Sequence, residues 1–378
     1  MAVPAHPSSK DARYALGTHR GPLSSQGADV AHPEKTNEIS LEPGKQTRAQ
    51  RIRRHWRRFW CCYAFGGIIF LAIMLPILFL VIIPAVAQRV VDGSTLVLVH
   101  AEVQQPRADS MMLRIDSALN LPLKIPVRID PITMSLFNRG RPENSTWAKV
   151  YLPAARIHGN TTLATNSTFT ELNIAEWTEY VRSVVFESHA PLSVKGSTTA
   201  HIGKLKSRVT MNKDIHQTTL NSFDGFSISD PQLLLRPRDD GTNLLANATL
   251  PNPSVMTLEI GTTTLNLYSN NLLLGNVTLD NLTLHPGNHS SSVRGTLDLR
   301  ALLTNLTTIL RDQRDAIQRG YLDLRTVGAD VTYDGVSVPY YSAVMQNLTM
   351  TAQVPLGRLV ENTLRGALWS RDIAVDIL

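Results

Sequence analysis

Residues 250–284 read LPNPSVMTLEIGTTTLNLYSNNLLLGNVTLDNLTL, and this stretch decides the fold. Apolar side chains recur at every second position, as at Leu258 and Ile260 and again at Leu265 and Leu267. A period of two is typical of a half-buried β-strand. Two asparagines near position 270 interrupt the pattern, which predicts a turn between two strands.

The same texture continues through the rest of the chain after Gln88. Short apolar runs alternate with Asn, Asp, Gly and Pro, which favours many short strands. Only two segments, 171–187 and 301–320, place apolar residues at the i, i+3, i+4, i+7 spacing of a helix. Strands or strand pairs are predicted at 94–104, 125–138, 148–159, 191–211, 223–235, 255–269, 271–284, 293–299, 328–341 and 347–356.

The order of these elements is similar in two halves of the chain. In each half a block of strands is followed by a helix and then by a further strand or strand pair, which suggests tandem copies of one module. We therefore predict a mainly β fold of tandem antiparallel β-sandwich modules with one or two helices. The modules are predicted at 89–215 and 216–356, and residues 357–378 as a C-terminal helix or tail.

The net charge of +6, from 37 Lys+Arg and 31 Asp+Glu over 378 residues, is concentrated at the N-terminus. Residues 1–58 hold 11 of the basic and 5 of the acidic side chains, and the rest of the chain holds 26 of each. A nucleic-acid interface would need the basic excess on a folded face. Residues 1–58 instead have the composition of a disordered basic tail, so we predict no nucleic-acid partner.

Residues 59–87 contain no Asp, Glu, Lys, Arg or His over 29 positions. About 20 apolar residues cross a bilayer, so this segment predicts a single transmembrane helix in front of the β-sandwich modules. Two alternatives fit less well. A cleaved signal peptide would start nearer residue 1 and be shorter, and a buried core helix would rarely be apolar on every face.

Dense arginines flank this segment on its N-terminal side only. By the positive-inside rule they place residues 1–58 in the cytosol and residues 89–378 in a lumen or outside the cell. The topology-setting residues are Arg51, Arg53, Arg54, Arg57 and Arg58. The adjacent Cys61 and Cys62 are candidates for S-palmitoylation, or are simply two small apolar residues of the helix.

Sequons for N-glycosylation lie only after the apolar segment. The pattern N-x-Ser/Thr marks a surface position in a protein that passes through a secretory lumen. The alternative is that Ser/Thr-rich β-sequence generates sequons by chance. The nine predicted glycan acceptors are Asn144, Asn160, Asn166, Asn247, Asn276, Asn281, Asn288, Asn305 and Asn347.

Motifs that carry catalytic chemistry are missing from the sequence. It contains no G-x-S-x-G, H-E-x-x-H, P-loop or G-x-G-x-x-G pattern. His285 and His289 flank a Pro-Gly turn and are a weak metal-like feature, and Asp239 and Asp240 offer too few oxygen ligands for calcium. We therefore predict no catalytic residues, no metal site, no cofactor and no enzymatic activity.

The stretch 250–284 also carries a family resemblance. An Asn252–Pro253 step is followed by a strand, a turn, a Leu274–Gly275 step and another strand. This resembles the late-embryogenesis-abundant type-2 domain, also called the water-stress and hypersensitive-response domain. With the single span and the paired modules, the chain is similar to fungal membrane proteins of domain-of-unknown-function family 3712. The first module departs from the pattern, since residues 120–123 read NLPL and no Leu-Gly step follows.

The resemblance implies a type II single-pass membrane glycoprotein whose lumenal modules bind or shield lipid or membrane surface. Its expected partners are membrane lipid, including a lipid ligand within the modules. The alternative is a membrane-anchored scaffold or regulator that binds an unknown protein partner without catalysis. The resemblance favours the vacuolar membrane, whereas the residues alone indicate the endomembrane system or the cell surface.

Overall fold

The computed structural model describes residues 48–122, 125–140 and 146–375. The chain divides into two compact units between Ile69 and Phe70. Most of the predicted tail and the sequon at Asn144 lie outside the described residues.

One long helical stretch precedes the strands. It consists of α1 (Arg48–Ile77), a π-helical turn (Leu78–Ile82) and α2 (Ile83–Asp92). The part from Phe59 to Asp92 is 34 residues long, apolar and 0% buried in its most apolar window. It is therefore long and apolar enough to be a single membrane span or signal anchor.

The π-helical turn lies just before Pro84. The backbone N–H of Ile83 donates to the carbonyl of Leu78, five residues earlier. Proline has no N–H to donate, and its ring crowds the carbonyl four residues back. A widened turn is one way in which a helix absorbs that conflict.

The larger of two sheets has twelve strands in the described part of the chain. Its strands pair antiparallel, except that β1 pairs parallel with β13 over three residues. In order across the sheet they are β11 (Ser227–Leu233), β12 (Leu244–Asn252), β15 (Gly287–Leu297), β14 (Leu272–Leu284), β13 (Met256–Ser269), β1 (Thr95–Gln104), β2 (Ser110–Asn120) and β7 (Asn160–Ala164). Off this path, β8 (Thr168–Glu171) pairs with β2, β16 (Tyr321–Tyr333) with β13, and β17 (Val336–Ser337) and β18 (Thr349–Pro355) with β16.

The smaller sheet is antiparallel and has six strands. They are β5 (Thr146–Leu152), β4 (Ile132–Phe137), β9 (Leu192–Ile202), β3 (Val127–Ile129) and β6 (Ala155–Ile157), with β10 (Leu205–Ile215) paired to β9. The predicted strands 125–138 and 148–159 are each broken, at Pro131 and Pro153. Proline cannot donate to a strand ladder, so each run divides into two short strands.

Several helices pack against the sheets. They are α3 (Ile174–Phe186), α4 (Leu299–Thr304), α5 (Leu306–Asp312), α6 (Arg314–Gln318), α7 (Pro339–Met345) and α8 (Leu356–Val375). The prediction at 171–187 is confirmed as α3. The segment predicted as one helix at 301–320 is helical, but non-helical backbone angles at Asn305 and Gln313 divide it into α4, α5 and α6.

The predicted fold class is confirmed at the level of a mainly β chain with two sheets, a few helices and one long apolar helix near the N-terminus. Strands β2, β7 and β8 and helix α7 were not predicted. β2 alternates apolar residues cleanly and is buried on one face, and α7 inserts a short helix between β17 and β18. Because β1 and β13 pair, the larger sheet contains strands from both predicted modules.

An aromatic cluster in the core packs β5 of the small sheet against helices α3 and α7. Trp147 on β5 lies 4.8 Å from Trp177 and 4.9 Å from Tyr180, both on α3, measured between ring centroids. The ring of Trp177 also lies 6.1 Å from that of Tyr340 on α7, which lies 4.7 Å from Tyr341. Aromatic pairs at these distances add to the stability that their buried area contributes.

Candidate functional site

The first of two apolar cavities, cavity A, has a volume of about 310 Å³. The small sheet, β1, β2 and β7 of the large sheet, and helix α2 enclose it. The cavity-facing residues of α2 are Ile83, Val86, Ala87, Val90 and Val91, and those of the β9–β10 hairpin include Thr198, Ala200, Ile202, Leu205, Ser207, Val209 and Met211. Ligand pockets commonly have volumes of about 300–1,000 Å³, so cavity A is large enough for a small apolar ligand.

Strand alternation explains why this wall is apolar. On β9, Thr198, Ala200 and Ile202 face the cavity, while the residues between them face outward. Because successive side chains of a strand point to opposite faces, one alternating sequence supplies both a hydrophobic wall and a polar outer surface.

Polar contacts fasten α2 along the edge strand β10. The Gln88 side chain donates from Nε2 to the Thr210 carbonyl at 2.8 Å, and its Oε1 accepts from the Thr210 N–H at 2.9 Å. Further along, Lys213 Nζ donates to the carbonyl oxygens of Asp92 and Ser94. These bonds satisfy an edge strand that otherwise has open backbone groups, and they hold the apolar face of α2 over the cavity.

Few polar groups line cavity A, and most bond to the protein itself. Thr198 donates to the Asp130 carbonyl at 2.8 Å, and Ser94 donates to the Val91 carbonyl at 2.6 Å. Ser207 differs, since its side chain is 7% exposed and its Oγ has no hydrogen-bond partner among the described residues. A buried hydroxyl without a partner is costly, so Ser207 offers a donor to a ligand in the cavity.

The second cavity, cavity B, has a volume of about 390 Å³. It lies against one face of the large sheet and is covered by α4, α5, α6 and α8. Its walls are apolar and include Phe226, Leu250, Leu267, Val277, Ile309, Leu324 and Leu359. Leu306 and Leu310 on α5 line this cavity and are also exposed, so α5 forms part of its rim.

The titratable side chains of the described residues include two tyrosines with a raised pKa. Within the described ranges, no three His, Cys, Asp or Glu side chains lie close enough together to hold a metal ion. Burial raises the pKa of Tyr180, although Gln217 Nε2 donates to its hydroxyl at 2.7 Å. Burial and a hydrogen bond to Glu259 raise the pKa of Tyr333 to about 12. Both tyrosines therefore stay neutral near pH 7 and are poor general bases.

His285 and His289, the weak metal-like feature of the sequence, have no third metal-ligating side chain beside them among the described residues. The rings of His285 and His289 lie 5.5 Å apart between centroids, and His289 Nε2 lies 3.0 Å from the Pro286 carbonyl. Two imidazoles alone do not complete a zinc site.

The sequence model of a family described as "Protein of unknown function (DUF3712)" matches residues 145–267. Those residues form a DUF3712 domain. The match runs from β5 into β13, so the DUF3712 domain contributes the β9–β10 wall of cavity A and the β12–β13 part of cavity B. It covers about a third of the chain.

Other comparisons add no functional information. No curated protein matches the chain. The red sea bream transglutaminase structure has 13% identity and a TM-score of 0.20, over 69% of this chain and 31% of that one. The exo-β-D-glucosaminidase CsxA has 10% identity and a TM-score of 0.18, over 68% of this chain and 26% of that one.

An enterococcal surface protein, represented by its partial N-terminal region, has 7% identity and a TM-score of 0.15, over 70% of this chain and 96% of that one. TM-scores this low do not indicate a shared fold. This chain spans less than a third of the length of the transglutaminase and of the glucosaminidase.

The predicted glycan acceptors are mostly at the surface. Asn247 and Asn305 are half-buried, and Asn144 lies outside the described residues. The exposed ones are Asn160, Asn166, Asn276, Asn281, Asn288 and Asn347. Their glycosylation stays a prediction.

The predicted residues near the N-terminal edge of the apolar helix are spread along α1. Cys61 and Cys62 are exposed free thiols, which S-palmitoylation requires. Arg57 is exposed as well. Arg51, Arg53, Arg54 and Arg58 belong to the same helix. Palmitoylation and the topology set by these arginines remain predictions.

Asn252, from the Asn-Pro step, lies inside the DUF3712 domain and connects three strands. Its side chain is 1% exposed, and its Nδ2 donates to the carbonyls of Met256 at 2.8 Å and Leu284 at 3.2 Å. Its Oδ1 accepts from the backbone N–H and the hydroxyl of Ser254. Asn252 therefore fixes the end of β12 against the start of β13 and the end of β14, while Pro253 follows where no ladder bond is needed.

We expect Asn252→Ala to lower the free energy of unfolding by about 1–3 kcal/mol, because it leaves buried carbonyls without a donor. Urea unfolding of the full-length protein in detergent, followed by circular dichroism, measures this loss. Gln353→Ala removes an exposed amide from β18 and should change stability by less than about 0.5 kcal/mol. Equal effects of the two substitutions would contradict the connecting role of Asn252.

The other motif pair, Leu274 and Gly275, serves packing. Leu274 is buried and lines cavity B. Gly275 lies between Leu267 on β13 and Leu297 on β15, and a Cβ there would collide with the Thr296 carbonyl oxygen. The motif thus places strands close together at one wall of the cavity.

The most important feature that was not predicted is α2. The predicted transmembrane helix ends at residue 87, but residues 83, 86, 87, 90 and 91 face cavity A. Their spacing is that of an amphipathic helix, and this signal was present in the sequence.

Proposed function

We propose that this chain is a type II single-pass membrane glycoprotein whose β-rich region binds lipid in cavities A and B or shields the membrane surface, without catalysis. In this proposal residues 1–58 are cytosolic and the β-rich region is lumenal, in an endomembrane and most favourably the vacuolar membrane of a fungus. The tandem sandwich modules at 89–215 and 216–356, and their relation to the late-embryogenesis-abundant type-2 domain, belong to the same proposal.

The observation that carries the proposal is the wall of cavity A. Helix α2 continues the apolar helix that is long enough to cross a bilayer, and the face of α2 lines the cavity. A ligand in cavity A therefore contacts the same chain segment that would contact lipid. Apolar walls with an isolated hydroxyl suit an acyl chain with a single ester or hydroxyl group.

The energetic scale supports an apolar occupant. Each methylene of an acyl chain that moves from water into cavity A would contribute about 0.8 kcal/mol. Bound water would gain little there, because the walls are almost entirely apolar and an ordered water needs two to four polar partners.

A protein-binding role is the second candidate, and an exposed stripe on α8 favours it. Val360, Leu364 and Leu368 are 55%, 59% and 62% exposed and follow one another at four-residue intervals. An apolar stripe of this spacing is typical of a helix that packs on another protein. This role would not require the cavities to hold lipid.

A photoreactive lipid tests the first role directly. The full-length protein is reconstituted into vesicles that contain a phosphatidylcholine with a diazirine and an alkyne on one acyl chain. After irradiation, mass spectrometry of peptides should locate the lipid on β9, β10 and α2. Labelling of α1 alone would contradict lipid binding in cavity A.

A cavity-filling variant makes the test specific. Ala200→Phe places a ring into cavity A and displaces about two methylenes of an acyl chain, at about 0.8 kcal/mol each. We therefore expect labelling of β9 and β10 to fall roughly tenfold, with labelling of α1 unchanged. Thr199→Phe adds the same ring on the outward face of β9 and is the matched control. A loss of equal size in both variants would show that the label does not report on the cavity.

A further inference from the structure

The tip of the β9–β10 hairpin, residues 202–206, extends the wall of cavity A to the protein surface. Ile202 and Leu205 both line the cavity, and Leu205 is 39% exposed. Ile125, which also lines the cavity, is 41% exposed. An apolar path therefore leads from the cavity interior to the tip.

The position of the tip along the apolar helix follows from the pairing of α2 with β10. Helix α2 and strand β10 run side by side in the same direction, since Gln88 bonds to Thr210 and Lys213 bonds to the Asp92 carbonyl. Leu205 precedes Thr210 by five residues, which is about 17 Å along a strand. The same distance along a helix is about eleven residues, which leads back from Gln88 to about Ile77. About 20 residues cross the hydrocarbon core, so in a span that begins at Phe59 Ile77 lies near the edge of the core on the side of the β-rich region. Ile82 and Ile83 line the same cavity, as this geometry requires.

The tip also carries basic side chains. Lys204 and Lys206 flank Leu205 and are exposed. Lys206 also acts on Asp130, whose pKa is lowered chiefly by its hydrogen bond with His201, with smaller contributions from Arg128 and Lys206. Exposed lysines beside apolar residues suit the phosphate layer of a membrane, where the apolar part enters the acyl region and the ammonium groups stay with phosphate.

We propose that the hairpin tip contacts the headgroup layer of the bilayer that the Phe59–Asp92 helix crosses, and that phospholipid passes from this leaflet into cavity A. The acyl chain enters along Ile202 and Leu205, while its phosphate stays with Lys204 and Lys206. Ser207, two residues further in, donates to an ester carbonyl of the lipid. This inference rests on the proposed lipid-binding function and adds the route and the lipid class.

A depth measurement tests the position of the tip. In a full-length Cys61→Ser/Cys62→Ser background, Lys204→Cys is labelled with an environment-sensitive fluorophore and reconstituted into phosphatidylcholine–phosphatidylserine vesicles. We expect a blue-shifted emission that brominated lipids quench. The matched control is His216→Cys, an exposed residue just beyond the other end of β10, which should remain unshifted and unquenched. Equal, solvent-like emission at both positions would overturn the proposal.

A loading measurement separates the route from the cavity. Leu205→Asp places a charge on the path without filling the cavity, and Leu235→Asp places one on another exposed leucine. With the photoreactive phosphatidylcholine in vesicles, we expect Leu205→Asp to slow the labelling of β10 at least tenfold and Leu235→Asp to leave it unchanged. In detergent micelles, where the lipid does not have to leave a bilayer leaflet along the hairpin tip, both variants should label like the original protein.

The outcomes distinguish the two levels of the proposal. Normal labelling of Leu205→Asp in vesicles would refute the route while leaving the lipid-binding function intact. If the unaltered protein is not labelled at β9, β10 or α2 in either vesicles or micelles, the proposed function itself fails.

Discussion

Replacement of Trp177 by alanine is expected to lower the free energy of unfolding by about 3–5 kcal/mol. Trp177 is 2% exposed and packs on the rings of Trp147, Tyr180 and Tyr340. These residues belong to the small sheet, α3 and α7, so the substitution opens a cavity where several elements meet. For proteins of 150–250 residues each kcal/mol is worth about 2–4 °C, and we expect the unfolding midpoint to fall by at least about 6 °C.

Circular dichroism of the full-length protein in detergent measures this change as the loss of the β-sheet signal. Trp177→Phe keeps an aromatic ring in the cluster and should cost less than half as much. Phe169→Ala removes an exposed ring from β8 and should have little effect. A shift of 2 °C or less corresponds to roughly 1 kcal/mol. If Trp177→Ala changes the unfolding midpoint by no more than this, the cluster does not stabilise the packing of β5, α3 and α7.

We expect Gly275→Ala to cost about 3 kcal/mol or more, because it combines backbone strain with a collision. Gly275 has a φ of +154°, and an added Cβ would meet the backbone of Thr296 and lie 2.9 Å from the Leu297 Cα. Both neighbours are backbone atoms of β15, so no side chain can rotate away. The substitution must separate β14 from β15 at the edge of cavity B.

Gly335→Ala separates the two contributions. Gly335 also has a positive φ, of +78°, but no atom lies within 4 Å of the added Cβ. Its substitution should therefore cost only about 1 kcal/mol, from the backbone alone. Similar losses for both variants in urea unfolding would mean that β14 and β15 can move apart freely, and the close approach at Gly275 would then have no structural role.

The strands around residue 270 were predictable to within a residue or two because local rules decide them. Predicted strands at 255–269 and 271–284 correspond to Met256–Ser269 and Leu272–Leu284. The turn residue Asn270 has a φ of +55°, which asparagine tolerates better than most residues. Nothing local, however, encodes the parallel pairing of Ala101 with Met256, since these residues are 155 positions apart.

The cavities were not predictable in the same way. Alternating apolar strands are needed equally for a filled core and for a hollow one, and the difference depends on how far apart the sheets and α2 are held. The role of Ser207 depends on the lack of a hydrogen-bond partner among the residues that the structure describes, which only the three-dimensional arrangement shows. Asn252 and Gly275 were found from the sequence, but as architectural residues without an assigned chemistry.

The short connection after α2 has a mechanical consequence. Only Gly93 and Ser94 separate Asp92 from β1, which begins at Thr95, and the Gln88 and Lys213 contacts leave α2 no freedom to swing. A β-rich region anchored through this helix has no flexible linker and therefore cannot move far from the membrane surface. The β-rich region would therefore contact only the membrane that holds its own helix. Lipid exchange with a second membrane would require that membrane to come as close as the height of the β-rich region.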